Sequence, residues 1–185
     1  MKKWSEIRQG IVDKLFMDAE EVTGENNQYA AKFAYFANEC LNQIANGIKP
    51  RIATLEITTT EENTKHNLPE DFLSFTDMIN YLDDQPDPTI IYYGGNLILP
   101  KKGHYVIFYN ATWQPITEEN MDDSDLPIDA SVLNCVPTYV AAQILAEDDV
   151  QRSTILKNEY ELMLSRLDTN VMYESNSFKS TGGWY

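Results

Sequence analysis

The side chains that could carry out acid–base, nucleophilic or metal chemistry are few in this sequence of 185 residues. It contains two histidines, His66 and His104, and two cysteines. His66 falls in a polar stretch that predicts a loop, and His104 follows turn residues at the start of a predicted strand. Nothing in the spacing places either histidine beside a nucleophile. A hydrolytic triad, a zinc site or a haem ligand pair is therefore poorly supported.

The two cysteines, Cys40 and Cys135, fall in stretches of helical period and form no CxxC pair. Cys40 lies on an apolar stripe and Cys135 lies next to one, which favours small buried hydrophobic side chains over reactive thiols. Unpaired cysteines of this kind are typical of a protein in a reducing cytoplasm.

Two acidic clusters could offer oxygen ligands to a cation. One is the set Asp83, Asp84 and Asp87, and the other is the run 122–125. The run lacks the central glycine and the distal bidentate glutamate of a calcium loop. Both clusters are interpreted as solvated acidic turns.

Two further motifs have structural explanations. Gly94-Gly95 lacks the phosphate-loop pattern and predicts a hairpin turn. Asp148-Asp149 lies between two predicted helices, where capping is a sufficient role. The sequence therefore predicts no catalytic residue, no cofactor site and no metal site, and the protein is expected not to be an enzyme.

The charge balance excludes several classes of function. Lys and Arg total 14 against 29 Asp and Glu, which gives a net charge of -15. Sequence-independent nucleic-acid binders and proteins that dock on anionic membranes need the opposite sign. No apolar run approaches the roughly 20 residues of a membrane span. The first eight residues have a basic pair but no apolar region behind it, so we expect no signal peptide.

Both ends of the chain show helical periodicity. Apolar residues recur every three or four positions from Trp4 to about Ala19. A second helix is predicted from the N-cap Asn27 to Gly47, with Pro50 forbidding continuation.

After an acidic stretch, Asp129 is expected to cap a third helix, which Pro137 should either kink or force to start later. The last helix follows an N-cap at Asp148-Asp149 and has the apolar stripe Leu156, Tyr160, Met163 and Leu167.

The middle of the chain alternates with the period of a strand. Ala53, Leu55 and Ile57 alternate with polar residues, which predicts a strand with one buried face. The stretch 59–67 predicts a loop, and 90–99 predicts a hairpin. In the strand 105–109 both faces are apolar, so each needs cover.

These elements predict an α+β fold. Residues 1–50 and 118–169 are expected to pack as a four-helix core, and residues 51–117 to form an inserted small antiparallel sheet or sandwich. Residues 170–185 are expected to form an extended C-terminal tail. Its composition is flexible, yet it carries the large aromatics Phe178, Trp184 and Tyr185, which are typical anchors in protein–protein contacts.

Several motifs together resemble the head-to-tail connector, or adaptor, proteins of tailed bacteriophages. The likeness rests on Leu-Pro-Glu-Asp-Phe at 68–72, on Asp-Leu-Pro-Ile-Asp at 125–129 followed by 136–149, and on Asn-Glu-Tyr-Glu at 158–161. The likeness also includes the tail 178–185, with its Gly-Gly-Trp, and the helix–sheet–helix order of the elements.

The resemblance implies a virion structural protein of the neck, assembled in the bacterial host cytoplasm. Such proteins form a ring, usually a dodecamer, under the portal protein. The tail, with Phe178, Trp184 and Tyr185, would bind the portal, and the ring would receive the next neck or tail component. Genomic DNA would pass through its channel without specific binding, which the acidic balance suits.

Two alternatives stay open. An acidic DNA-mimic inhibitor would explain the charge of -15, provided that carboxylates are arrayed like phosphates on one surface. A metal-dependent hydrolase could use the aspartate clusters, although no ligand set joins them.

Overall fold

The structure is a computed structural model that describes residues 2–15, 30–76, 78–87, 89–117 and 125–171. Of Ala30, Ala31 and residues 168–171 only the backbone is described. The chain divides into two compact units. A helical unit combines Met1–Lys49 with Gln114–Tyr185, and a β unit consists of Pro50–Trp113. Helices and antiparallel sheets confirm the α+β class. Within the described residues no helix combines the length and the apolar character that crossing a bilayer requires.

The helical unit contains five helices among its described residues: α1 Trp4–Leu15, α2 Ala30–Gly47, α3 Ala130–Leu133, α4 Val136–Ile144 and α5 Val150–Val171. A two-residue strand, β1 Lys2–Lys3, pairs antiparallel with a second one, Asp125–Leu126. Gly47 ends α2 as predicted. The predicted continuation of α1 to residue 19 and the N-cap Asn27 lie outside the described residues.

Helix α4 is the centre of the helical unit, because α1, α2 and α5 all pack against it. It is apolar around most of its circumference, as expected for a helix surrounded by others. Its buried side chains are Val136, Thr138, Tyr139, Val140, Ala141 and Ala142. The surrounding helices contribute Ile11 from α1, Phe33 from α2 and Tyr160 from α5. The predicted four-helix core is thus confirmed, with α3 as a short preceding turn.

The course of the predicted third helix is resolved at Pro137. The helical run is divided into α3 and α4, and α4 begins at Val136 with Cys135 as its N-cap. Pro137 therefore lies in a first turn, where its missing N–H costs no hydrogen bond. Of the two alternatives predicted for Pro137, the later start of the helix is confirmed and the kink is not. A Cβ atom at Gly10 of α1 would lie 3.2 Å from Pro137 Cγ, so the two helices approach closely here.

The β unit consists of eight strands among its described residues: β2 Arg51–Thr59, β3 Thr64–Asn67, β4 Phe72–Phe75, β5 Tyr81–Leu82, β6 Gln85–Pro86, β7 Ile91–Tyr93, β8 Asn96–Leu99 and β9 Gly103–Ala111. One sheet has the order β2–β9–β5–β6, with β4 also paired to β9, and the other has the order β3–β8–β7. The longest ladder joins β2 and β9, from Arg51 opposite Ala111 to Thr59 opposite Gly103. The predicted hairpin at 90–99 is confirmed as β7 and β8.

The core of the β unit lies between its sheets. Leu97 and Leu99 of β8 pack with Tyr105 and Ile107 of β9, and all four are at most 1% exposed. The Tyr105 hydroxyl donates to the Lys101 carbonyl at 2.9 Å and accepts from its N–H at 3.0 Å. One face of β9 is thus fully buried. Its other face, with Val106 and Phe108, is half-buried.

Candidate functional site

Each histidine has a local partner within the β unit. The prediction that His66 lies in a loop is wrong, because it belongs to strand β3 opposite Leu97. Its Nε2 is 3.2 Å from Thr64 Oγ1. His104 lies at the start of β9, after Gly103, as predicted, and its Nε2 is 3.8 Å from Glu56 Oε2. Within the described ranges no three His, Cys, Asp or Glu side chains are grouped so that they could hold a metal ion.

Both cysteines are buried in the helical unit, as predicted. Cys40 is 0% exposed and Cys135 is 1% exposed. Burial raises the pKa of Cys40 to about 12 and that of Cys135 to about 11. The Cys40 thiol donates to Tyr160 Oη at 3.7 Å. Since the nucleophile is the thiolate, these thiols have a packing role near neutral pH.

The acidic turn at Asp83 and Asp84 is confirmed. Both residues have positive φ, 46° and 62°, in the tight connection between β5 and β6. Asp83 Oδ1 accepts from the His104 N–H at 2.8 Å. The side chain therefore fixes the turn against β9. Of the second acidic cluster, residues 122–124 lie outside the described part of the chain.

The prediction that Asp87 is a solvated turn residue is wrong, because Asp87 is only 4% exposed. Burial by itself raises its pKa, but hydrogen bonds from Lys101 and Thr89 outweigh burial and hold the pKa below its ordinary value. Lys101 Nζ donates to Oδ2 at 2.8 Å. A buried carboxylate saturated in this way stabilises the loop between β6 and β7.

Two aspartates cap helices, as the sequence predicts. Asp129 Oδ1 accepts from the Ser131 N–H at 2.7 Å, and Oδ2 accepts from Lys49 Nζ at 2.7 Å. Asp149 Oδ1 accepts from the Arg152 N–H at 3.0 Å, at the start of α5. Asp129 thereby joins the end of α2 to the start of α3.

One groove of the helical unit lies between α1 and α5. Its lining residues are Asp13, Lys14, Arg152, Ile155, Leu156 and Glu159. Lys14 Nζ forms an ion pair with Glu159 Oε1 at 2.8 Å, and Arg152 Nη2 donates to the Lys14 carbonyl at 2.9 Å. Ile155 is nevertheless 59% exposed between these charged groups. An apolar floor with a charged rim is an arrangement common in protein–protein interfaces.

Leu162 extends this exposed apolar character along α5, because it lies seven residues after Ile155 and is 62% exposed. The sequence prediction followed only the buried stripe of α5 and missed this second row. The signal was present, since both residues are large and aliphatic yet fall outside that stripe. We call Ile155 and Leu162 the α5 ridge.

The residues predicted to bind a partner, Phe178, Trp184 and Tyr185, lie outside the described residues. Their role stays a prediction. No protein-family model matches the chain, and no curated protein matches it. The candidate site in the described residues is therefore defined by its geometry alone, as the α1–α5 groove and the α5 ridge.

Proposed function

We propose that this protein is a structural component of a bacteriophage neck, a head-to-tail adaptor that assembles as a ring under the portal protein. In this role it performs no catalysis. The ring, of about twelve copies by the resemblance, joins the portal to the next neck or tail component and forms part of the conduit for DNA.

The observation that carries the proposal is the order of the elements. The helical unit is assembled from both ends of the chain, and the β unit is contiguous between them. This order agrees with the helix–sheet–helix arrangement on which the resemblance to adaptor proteins rests. The α5 ridge supplies exposed apolar side chains of the kind that subunit contacts bury.

The proposed portal contact belongs to the C-terminal residues. They follow α5, the last helix of the helical unit, so they are attached directly to the element that carries the α5 ridge. Phe178, Trp184 and Tyr185 would each bury a large area at small cost in rotamer entropy.

The DNA-mimic hypothesis is less well supported by the described residues. A mimic needs free carboxylates spaced like phosphates, whereas several carboxylates here form ion pairs with basic side chains. These pairs are Lys14–Glu159, Lys49–Asp129, Arg51–Asp71 and Lys101–Asp87. Salt-sensitive binding to a basic nucleic-acid-binding protein would favour this alternative over the adaptor.

The test combines electron microscopy with a truncation. The purified protein should form rings, alone or when mixed with the portal protein encoded in the same genome. Deleting residues 177–185 should leave the circular dichroism spectrum and the unfolding midpoint unchanged, because the buried core of the described helical unit lies upstream at Leu167 and before. Binding to the portal should be lost.

A matched pair of variants tests whether portal binding depends on the aromatic side chains of the tail or only on the length of the tail. Replacing Phe178, Trp184 and Tyr185 together with Ala should abolish portal binding, whereas replacing Ser177 and Ser180 with Ala should preserve it. A protein that stays monomeric and never binds the portal would refute the proposed function. Full binding by the truncated protein would refute the role of the tail.

A further inference from the structure

Strand β7 is an edge strand whose side chains are unusually exposed. It lies at the end of the β3–β8–β7 sheet. Ile91, Tyr92 and Tyr93 are 51%, 53% and 76% exposed. Three consecutive large apolar residues on an open edge invite pairing with another chain. Ile91 and Tyr93 lie on one face of the strand and together expose on the order of 300 Å² of mostly apolar surface, whereas Tyr92 lies on the other face.

The side chains of β7 are exposed although the hairpin of β7 and β8 has a well-defined turn and register. Gly94 and Gly95 have φ of 56° and 77°, as a two-residue turn of the favoured twist requires, and they set Tyr93 opposite Asn96. The Tyr92 ring packs against Phe75 of β4, with 5.7 Å between centroids. The strand is therefore held in register while Tyr93 points away from ring partners and into solvent.

The lack of charged residues in the sequence around β7 indicates which kind of partner can bind this strand. Residues 89–100 contain no Asp, Glu, Lys or Arg, although the chain has a net charge of -15. The edge β6 is protected differently: it is two residues long, includes Pro86 and follows the exposed Asp83 and Asp84. Copies of so acidic a chain repel one another wherever carboxylates meet, so an uncharged surface opposes contact between copies least.

We propose that the β7 edge is a contact surface for a second copy of this chain, which buries Ile91, Tyr92 and Tyr93 on assembly. A partner recognised by charge, such as a basic protein, would find no counter-charge on this strand. A stable interface takes about 800 Å² from each partner. The exposed face of β7 supplies less than half of that area, so a stable interface must extend beyond this strand. This inference rests on the self-association in the proposed function.

The test is Tyr93→Asp, with Tyr93→Phe as the matched control. Tyr93 is the most exposed of the three, so neither variant disturbs the core. Asp adds a charge that must be desolvated beside like charges, whereas Phe keeps the apolar ring. Sedimentation velocity over a concentration series should show self-association weakened at least tenfold in Tyr93→Asp and retained in Tyr93→Phe. If Tyr93→Asp lowers the unfolding midpoint, Tyr93→Ser serves as the second variant, with the same expected loss.

Hydrogen exchange provides the independent readout. The amides of residues 91–93 should gain protection when the wild-type protein self-associates. Association of Tyr93→Asp at the wild-type concentration would overturn the inference and leave the proposed function intact, as would self-association of the wild-type protein without any gain in protection at residues 91–93. A wild-type protein that is monomeric at every concentration and neither forms rings with the portal protein nor binds it would overturn both.

Discussion

The side chain of Asp129 has two separable roles in the helical unit, and substitution can distinguish them. It caps α3 through the Ser131 N–H, and it pairs with Lys49, the residue at which the first segment of the helical unit ends. Asp129→Asn keeps an oxygen that can cap the helix but removes the charge. Asp129→Ala removes both. The ion pair connects residues that are separated in sequence by the whole β unit.

The magnitude follows from the pKa of Asp129. Burial by itself raises this pKa, but hydrogen bonds from Lys49 and Ser131 outweigh it and lower the pKa from 3.8 to about 2. At 1.36 kcal/mol per pH unit the full shift corresponds to about 2.4 kcal/mol. Because the Asp129 side chain is 39% exposed, solvent screening reduces the expected contribution to about 1 kcal/mol. Loss of the cap costs about 1 kcal/mol more.

Urea unfolding followed by circular dichroism should therefore show Asp129→Asn about 1 kcal/mol, and Asp129→Ala about 2 kcal/mol, less stable than wild type at pH 7. Since the folded-state pKa is depressed, the ionic contribution is complete above the unfolded pKa of 3.8 and disappears as the pH falls through 2. At pH 3 the difference between wild type and Asp129→Asn should be about half of its neutral value. Equal stability of Asp129→Asn and wild type at pH 7 would refute the reasoning. So would a difference in their free energies of unfolding that does not change with pH.

Three further predictions concern buried or strained positions. Gly103→Ala should lower stability by about 1–3 kcal/mol in urea unfolding, because φ is +144° and a Cβ atom would lie 2.5 Å from Leu82 Cδ1; unchanged stability would contradict this. Leu97→Ala should cost about 2–5 kcal/mol, since the side chain is 0% exposed and leaves a cavity in the β unit; a loss below 1 kcal/mol would mean that the core collapses around the site. Cys40 and Cys135 should resist a disulfide reagent at mildly alkaline pH and react only in guanidinium, because burial holds both thiols protonated; rapid labelling of the folded protein would show that they are accessible.

Elements with a clear periodicity were predictable from the sequence. In β2, Ala53 is buried and Thr54, Glu56 and Thr58 are exposed, as the alternation predicts. In α5, Tyr160 and Leu167 are buried on the predicted stripe. Each pattern reflects one face packed against a core, which is the condition under which local sequence reports on tertiary structure.

Strand β3 could not be predicted, because its residues have no apolar alternation. Thr64–Asn67 is polar throughout, and it becomes a strand by pairing with β8, where Leu97 and Leu99 are fully buried. Pairing with a distant partner thus overrides a local preference for loop. The same error placed His66 in a loop.

The exposed surfaces were harder to predict than the core. Ile91, Tyr92 and Tyr93 read simply as a hydrophobic strand, and the sequence does not say that β7 lies at a sheet edge. Likewise, Ile155 reads as a helix residue until its exposure is known. An apolar side chain becomes a candidate contact only when the fold leaves it uncovered.

The assembly of the helical unit from both chain ends has a consequence for biosynthesis. Helix α2 leaves the ribosome roughly 90 residues before α4, and α1 roughly 120 residues before it. At ordinary elongation rates the apolar stripe of α2 is therefore exposed for roughly 5–20 s, and that of α1 for longer, before α4 can cover it. The β unit, which is contiguous, emerges complete within that interval and can fold first. The nascent chain is thus expected to mature from its middle outward, with its N-terminal helices as the natural substrate of a chaperone until translation ends.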